Sequence, residues 1–219
     1  MHIYDCEDGT QVPSVTTILQ ILGSPAIIKW ANWLGFKHLD YEKELDRTAN
    51  NGTIVHLGVQ HIVDPEHTEE LKFKNDFEGQ YYRRILNNFQ TFISRFTYET
   101  IFTEKSFASS TLGYGGTIDW YVKMSGFQML IDFKTSKQVR LKHLLQLGGY
   151  MSLMEESGYP VDAAAILIVN EKGCRLYPIN RTTLVEMNQA FQKLVQLYPI
   201  VEGKMPELDT ELLDRLTKE

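Results

Sequence analysis

The run Gly113-Tyr114-Gly115-Gly116-Thr117-Ile118-Asp119-Trp120-Tyr121-Val122-Lys123-Met124-Ser125-Gly126-Phe127-Gln128-Met129-Leu130-Ile131-Asp132-Phe133-Lys134 sets the centre of the architecture. Two apolar-alternating segments flank Ser125-Gly126, which predicts a β-hairpin. With Ser125 and Gly126 as the loop, Met124 pairs with Phe127. Stepping back along both strands then brings Asp119 opposite Asp132 on one face. A three-residue loop at Met124–Gly126 would shift the register and destroy that opposition. Directly opposed Cβ atoms lie roughly 4.5–5.5 Å apart. At an effective dielectric of about 20, carboxylates at such a distance repel by roughly 3 kcal/mol. A divalent cation between them converts the repulsion into binding, and oxygen ligands suit magnesium or manganese. Lys134 lies two residues beyond Asp132 and shares its face. A hairpin with a solvated polar face is the alternative reading of the same residues.

Outward from the hairpin, the chain alternates helical and strand patterns. Residues 2–12 read as a small hairpin turning at Asp8-Gly9. Ser14 is a candidate N-cap for the next helix, which Gly23 stops, and Ser24-Pro25 opens a second helix ending near Gly35. Trp30, Trp33 and Leu34 lie on or near one stripe of it, with core packing favoured over base stacking. A polar helix from about Asp40 leads to Gly52 and His56, four apart and on one face. Here the glycine is expected to allow another backbone close, and the imidazole to offer a metal ligand. His61 and His67 are read as surface residues. After a polar loop at 64–75, Phe77, Tyr81, Ile85, Phe89, Phe92, Ile93 and Phe96 keep helical spacing from Asp76 to Phe96. A strand from Tyr98 to Phe107 carries Glu104, a candidate second metal ligand or an ordinary edge carboxylate.

Beyond Lys134, Thr135-Ser136 reads as a helix start leading into an amphipathic helix over Val139–Ser157. Gln146 and Tyr150 fall four apart on it. Gly148 and Gly149 cost roughly 2 kcal/mol relative to alanine, which implies close packing of this helix onto the sheet. Val161–Val169 is a buried strand, Cys174–Ile179 a second, and Thr183 to about Glu202 a last helix stopped by Gly203. The tail from Pro206 is acidic with a short Leu-rich pattern.

Four groups of residues, Gly52/His56, Asp119, Asp132/Lys134 and Gln146/Tyr150, stand in one order along the chain. Together they resemble the RecB-like branch of the PD-(D/E)XK nuclease superfamily, with its G-x-x-x-H and Q-x-x-x-Y motifs. The string Pro13-Ser14-Val15-Thr16-Thr17-Ile18-Leu19, followed by a tryptophan-bearing helix, is similar to phage-encoded RecB-like exonucleases and the mitochondrial genome-maintenance exonuclease. Periodicity alone gives α/β or α+β. The resemblance implies an α/β restriction-endonuclease-like core, with a mixed central β-sheet flanked by helices and additional N-terminal helices. It also implies one nuclease domain over 1–219, divided into an N-terminal part (1–63), a catalytic sheet and helix (98–180) and a C-terminal helix and tail (181–219).

In that framework Asp119, Asp132, Lys134, Gln146 and Tyr150 are the expected catalytic residues. His56, Asp119, Asp132, the Phe133 carbonyl and Glu104 are the expected ligands for one or two Mg2+ or Mn2+ ions. Ser14, Lys137, Arg140 and Lys142 are the expected DNA contacts, the last three forming a basic cluster just after Lys134. The implied activity is metal-dependent hydrolysis of DNA phosphodiesters in replication, recombination or repair, as an exonuclease on single strands or ends. An endonuclease of junction or restriction type and a non-catalytic DNA- or partner-binding module are the alternatives.

Composition narrows the partners. A net charge of −6 argues against nonspecific coating of nucleic acid. Two cysteines, Cys6 and Cys174, are too few for the four-cysteine iron–sulfur cluster of some RecB-like nucleases. No Walker A loop is present, so any unwinding is expected from a helicase or recombination partner. Residues 1–7 have neither a basic nor an apolar signal region, and the longest apolar run, Ala163–Val169, is too short to span a bilayer, so a cytoplasmic protein without membrane contact is expected.

Overall fold

A computed structural model describes residues 2–23, 25–66 and 69–203. β1 (Ile3–Asp5) and β2 (Gln11–Pro13) pair antiparallel around Asp8-Gly9, with Gly9 at φ 83°. Ser14 caps α1 (Val15–Ile18), its hydroxyl accepting the Thr17 N–H at 2.9 Å. A 3-10 turn, Leu19–Leu22, follows and ends at Gly23, whose φ of 59° suits only glycine well. α2 (Pro25–Phe36) starts on its proline, while Ser24 lies outside the described residues. α3 (Tyr41–Val63) and α4 (Asp76–Ile93) are capped by the Asp40 and Asn75 side chains.

β3 (Tyr98–Ser109), β4 (Tyr114–Met124) and β5 (Phe127–Lys134) then form an antiparallel meander. α5 (Leu141–Glu156) crosses over so that β6 (Ala163–Asn170) runs parallel to β5. β7 (Gly173–Asn180) returns antiparallel to β6, and α6 (Arg181–Glu202) follows. The sheet order is β3-β4-β5-β6-β7. This is the expected α/β architecture: a five-stranded mixed sheet flanked by helices, with N-terminal helices added.

Both sheet faces are apolar, so the chain builds two cores. α1, α5 and α6 enclose one, around Ile118, Tyr121, Leu130, Leu147, Ile166 and Phe191. The other lies under α3 and α4, around Val59, Phe89, Trp120, Ile131, Phe133 and Leu167. Burial on two faces explains why β6 reads as a continuous apolar run. No helix among the described residues is long and apolar enough to cross a membrane.

Several local expectations change. Thr135-Ser136 does not start a helix: the Ser136 hydroxyl donates to the Gln138 carbonyl and its own carbonyl accepts from Asn170 Nδ2, holding a loop until α5 begins at Leu141. Gly148 and Gly149 pack against α6 rather than the sheet. A Cβ on Gly148 would stand 2.5 Å from the Asn188 backbone nitrogen, and one on Gly149 2.8 Å from the Phe191 ring. Phe77 keeps helical spacing with its apolar neighbours yet is 82% exposed, because Tyr82, not Phe77 or Tyr81, continues the buried stripe of α4. The tryptophans of α2 are not core residues either. Leu34 fills that role, Trp33 is 52% exposed, and Trp30 is half-buried with its ring edge-on to Tyr41.

Candidate active site

The hairpin turns at Ser125 (φ 52°) and Gly126 (φ 86°), the two positive φ values of a type I′ turn. Met124 pairs with Phe127, and the predicted register runs unbroken to Trp120↔Ile131. One step further the ladder opens. Instead of pairing through its backbone, Asp119 turns its carboxylate into the seam, where Oδ2 accepts the Phe133 N–H at 2.7 Å. Phe133 therefore brings its N–H to Asp119.

The other side of Asp119 is also irregular. Glu104 falls opposite it, between the pairs Thr103↔Trp120 and Lys105↔Ile118, and has φ 46°. A non-glycine residue in that conformation costs roughly 1–2 kcal/mol. Residues two apart on a regular strand share a face. Here Ile118 belongs to one core and Trp120 to the other. Likewise Thr103 bonds to α3 residues, whereas Lys105 lies over the Phe102, Phe107 and Tyr159 rings of the opposite face. Both strands thus turn over at Glu104 and Asp119, which lets these two side chains leave the sheet where cores cannot claim them. His56 arrives from α3, its ring edge-on to Phe133 at 5.7 Å. Its Nδ1 stands 3.7 Å from Asp119 Oδ2 and 4.0 Å from Glu104 Oε1.

One ligand atom from each of His56, Glu104 and Asp119 falls within 4.8 Å of the others, so these three could hold a metal ion. Asp132, expected to share the cation with Asp119, is not in this group. It is 1% exposed and ion-paired instead, with Oδ2 2.5 Å from Lys134 Nζ. Lys134 occupies Oδ2, whereas Oδ1 has no hydrogen-bond partner among the described residues, so acceptor capacity remains buried beside the cluster. Two carboxylates, one imidazole and the orphaned Asp132 oxygen fit a hard divalent cation such as Mg2+ or Mn2+. Glu104 is therefore central to the donor set, not peripheral to it.

The charges respond to one another. Burial first, then Asp119 and Asp132, push the Glu104 carboxyl up to about 7, with Lys134 opposing. Burial also raises Asp132, which Lys134 partly offsets. Burial pulls the Lys134 ammonium down, but Asp132, Asp119 and Glu104 outweigh it and keep it protonated. Tyr150 is raised well above its ordinary range by burial and by Asp132 and Asp119, so its phenol keeps its proton. Gln146 Nε2 donates to Tyr150 Oη at 2.8 Å, leaving that proton for another acceptor. The ring fits only because Gly116 has no side chain: a Cβ there would lie 2.4 Å from Tyr150 Cε1.

Two clefts lie here, one at His56 and Glu104 and the other at Lys134. One, of about 480 Å3, is lined by Gly52, Thr53, His56, Leu57, Gln60, Glu69 and Glu104. Nothing lies within 4 Å of where a Gly52 Cβ would stand, so no other segment's backbone packs closely against this glycine. The other, of about 300 Å3, joins Lys134 to Arg140, Lys142, His143, Gln146, Thr16, Leu19 and Ile27. Burial, then Lys134, lowers the His143 pKa to about 4. Its Nδ1 accepts the Arg140 N–H at 3.3 Å, so the neutral ring carries its proton on Nε2.

The remaining expected residues are dispersed. Arg140 lies on this second cleft, and Lys137 is exposed on the loop before it. Ser14 is 3% exposed, its hydroxyl held by Thr16 and Thr17, which is the work of a cap and leaves nothing for a DNA contact. His61 is half-buried, not a surface residue, and His67 lies outside the described residues. Gln60, Glu69 and His143 were not singled out from sequence. Gln60 had a usable signal, since it continues the Gly52–His56 spacing by one more turn.

No protein-family model and no curated protein matches the chain. Among solved structures, that of SSO0001 is similar with 16% identity and a TM-score of 0.36, over 85% of this chain and 75% of that one. A likeness of that size carries no argument about fold or function.

Proposed function

We propose that this chain is a divalent-cation-dependent deoxyribonuclease that hydrolyses DNA phosphodiesters, acting as an exonuclease on single strands or ends. One observation carries the reading: His56, Glu104 and Asp119 converge within 4.8 Å beside the buried Asp132–Lys134 pair, with a cation-lined cleft leading away. His56, Glu104 and Asp119, with Asp132 adjacent, would hold the Mg2+ or Mn2+ ion. Such an ion, when bound, lowers the pKa of water and offsets phosphate charge. Lys134 stays protonated and places a positive charge where charge develops on the phosphate. Tyr150, oriented by Gln146, retains a phenolic proton to donate. Arg140 and Lys142 give the phosphate backbone a path that the acidic remainder of the surface does not offer. A narrow basic cleft suits a single strand better than a duplex, which needs many phosphate contacts. The family resemblance, a helicase or recombination partner and a cytoplasmic setting belong to the same proposal.

The deciding assay is digestion of labelled DNA with Mg2+ or Mn2+. Linear single strands should shorten progressively while circular single strands of the same sequence survive, and blunt duplex should be attacked slowly. Efficient linearisation of the circle would move the protein to the endonuclease reading. No cleavage of any substrate with either ion would leave a binding module.

A further inference from the structure

Gln60 follows His56 by one helical turn on the same face of α3, and both line the 480 Å3 cleft. The amide is 5% exposed, and its Nε2 donates to Thr103 Oγ1 at 2.9 Å. Thr103 Oγ1 in turn donates to Asp64 Oδ2 at 2.7 Å. An ionised carboxylate only accepts, and a hydroxyl has one proton to give. Asp64 therefore claims the Thr103 proton, Thr103 can only accept from Gln60, and the amide must turn its NH2 inward. Its oxygen is left. Oε1 has no hydrogen-bond partner among the described residues and is not sealed from solvent. Thr103 is also the neighbour of Glu104, so the anchor of the amide sits at the kink that delivers a carboxylate to the same cleft.

We infer that Gln60 is a fourth donor toward the divalent cation, its neutral side-chain oxygen aimed by the Asp64–Thr103 relay. This rests on the cation reading of His56, Glu104 and Asp119. Mg2+ and Mn2+ take more ligands than those three residues supply, and an amide oxygen adds one without adding repulsion to an already acidic site.

The test is Mn2+ titration of the full chain, followed by the spin-resonance signal of the free ion, with folding checked by thermal melting. Wild type should bind Mn2+. Gln60→Leu should weaken binding roughly ten- to a hundredfold, the usual scale for ligand-supporting groups. Asp64→Ala should weaken it in the same direction but less. It removes the acceptor of the Thr103 proton, which frees that proton for Gln60 Oε1 and turns the NH2 toward the cleft. A folded Gln60→Leu protein with wild-type Mn2+ affinity overturns the proposal. Should that variant not fold, Asp64→Ala decides alone, since Asp64 does not line the cleft, and wild-type affinity there overturns the relay. Wild type that binds no Mn2+ would instead sink the cation reading itself.

Discussion

The cleft of His56 and Glu104 is walled by α3 and β3, whereas the cleft of Arg140 and Lys142 is walled by α1 and α5 and reaches Lys134 at the end of β5. The first is acidic and assembled from distant segments: a helix, the loop at Glu69 and a kinked strand. The second is basic and drawn mainly from the residues that follow Lys134 directly in sequence. Between them, Asp132 belongs to the acidic set by chemistry and to the basic one by its ion pair. One cleft is thus built to gather cations and the other to gather anions, with Lys134 as the hinge of charge.

If the division is real, variants on the two sides should fail differently. The largest effect is expected at Asp119. Asp119→Ala should remove measurable Mn2+ binding and lower cleavage by about 10^3-fold or more, the scale seen when a central electrostatic group is lost. Retained Mn2+ binding in that variant would place the cation elsewhere.

Lys134→Met comes next, and it should separate the two clefts. Cleavage is expected to fall by about 10^2–10^3-fold with Mn2+ still bound. Stability should fall as well, by about 3–5 kcal/mol, because Asp132 is left buried and unpaired. The double variant Asp132→Asn/Lys134→Met should recover most of that stability and none of the activity. A single variant as stable as wild type, measured by denaturant unfolding, would mean that Asp132 already carries a proton.

A smaller, graded effect is expected with pH. The Glu104 carboxyl, raised to about 7 from an ordinary 4.5, binds its proton more tightly in the folded chain than in the unfolded one. Metal-free stability should therefore be highest below about pH 4.5 as far as this group is concerned, and decline as pH rises to about 7. A cation competes with that proton, so Mn2+ affinity should climb by up to about tenfold per pH unit between pH 5 and 7 and then level off. Glu104→Gln should flatten that rise. A wild-type affinity independent of pH over this interval would remove Glu104 from the donor set.

The mildest change belongs to the basic side. Arg140→Ala and Lys142→Ala should each weaken single-strand binding a few-fold and reduce the salt dependence of log K by about 0.7, one phosphate contact each. Mn2+ affinity should not move. An unchanged salt slope in both would take the strand off this cleft.

Much of the site on β5 was legible because hairpin register is a local property. Ser125-Gly126 selects the turn, the turn selects the pairing, and alternation then assigns faces as far as Trp120↔Ile131. Helical spacing likewise put Gly52 with His56 and Gln146 with Tyr150, because i and i+4 face the same way in any α-helix. The N-cap at Ser14 followed from local hydrogen bonding of a short polar side chain.

What the sequence could not fix depends on contacts between segments far apart in the chain. Nothing local marks Glu104 for φ 46° or makes β3 and β4 turn over there, since that strain is tolerated only because two cores grip the strands on either side. Asp132 reads as a cation ligand by register alone. Its pairing with Lys134 follows from burial, which makes an unpartnered carboxylate costly. Gly148, Gly149 and Gly116 look alike in sequence, but α6 and the Tyr150 ring give each its reason. By itself, then, the sequence determined most of the order of helices and strands, the hairpin register and the helical pairs, all set by bonds within a few residues. Tertiary structure alone decided which carboxylate joins His56 and which pairs with lysine, because that choice is settled by desolvation and long-range charge.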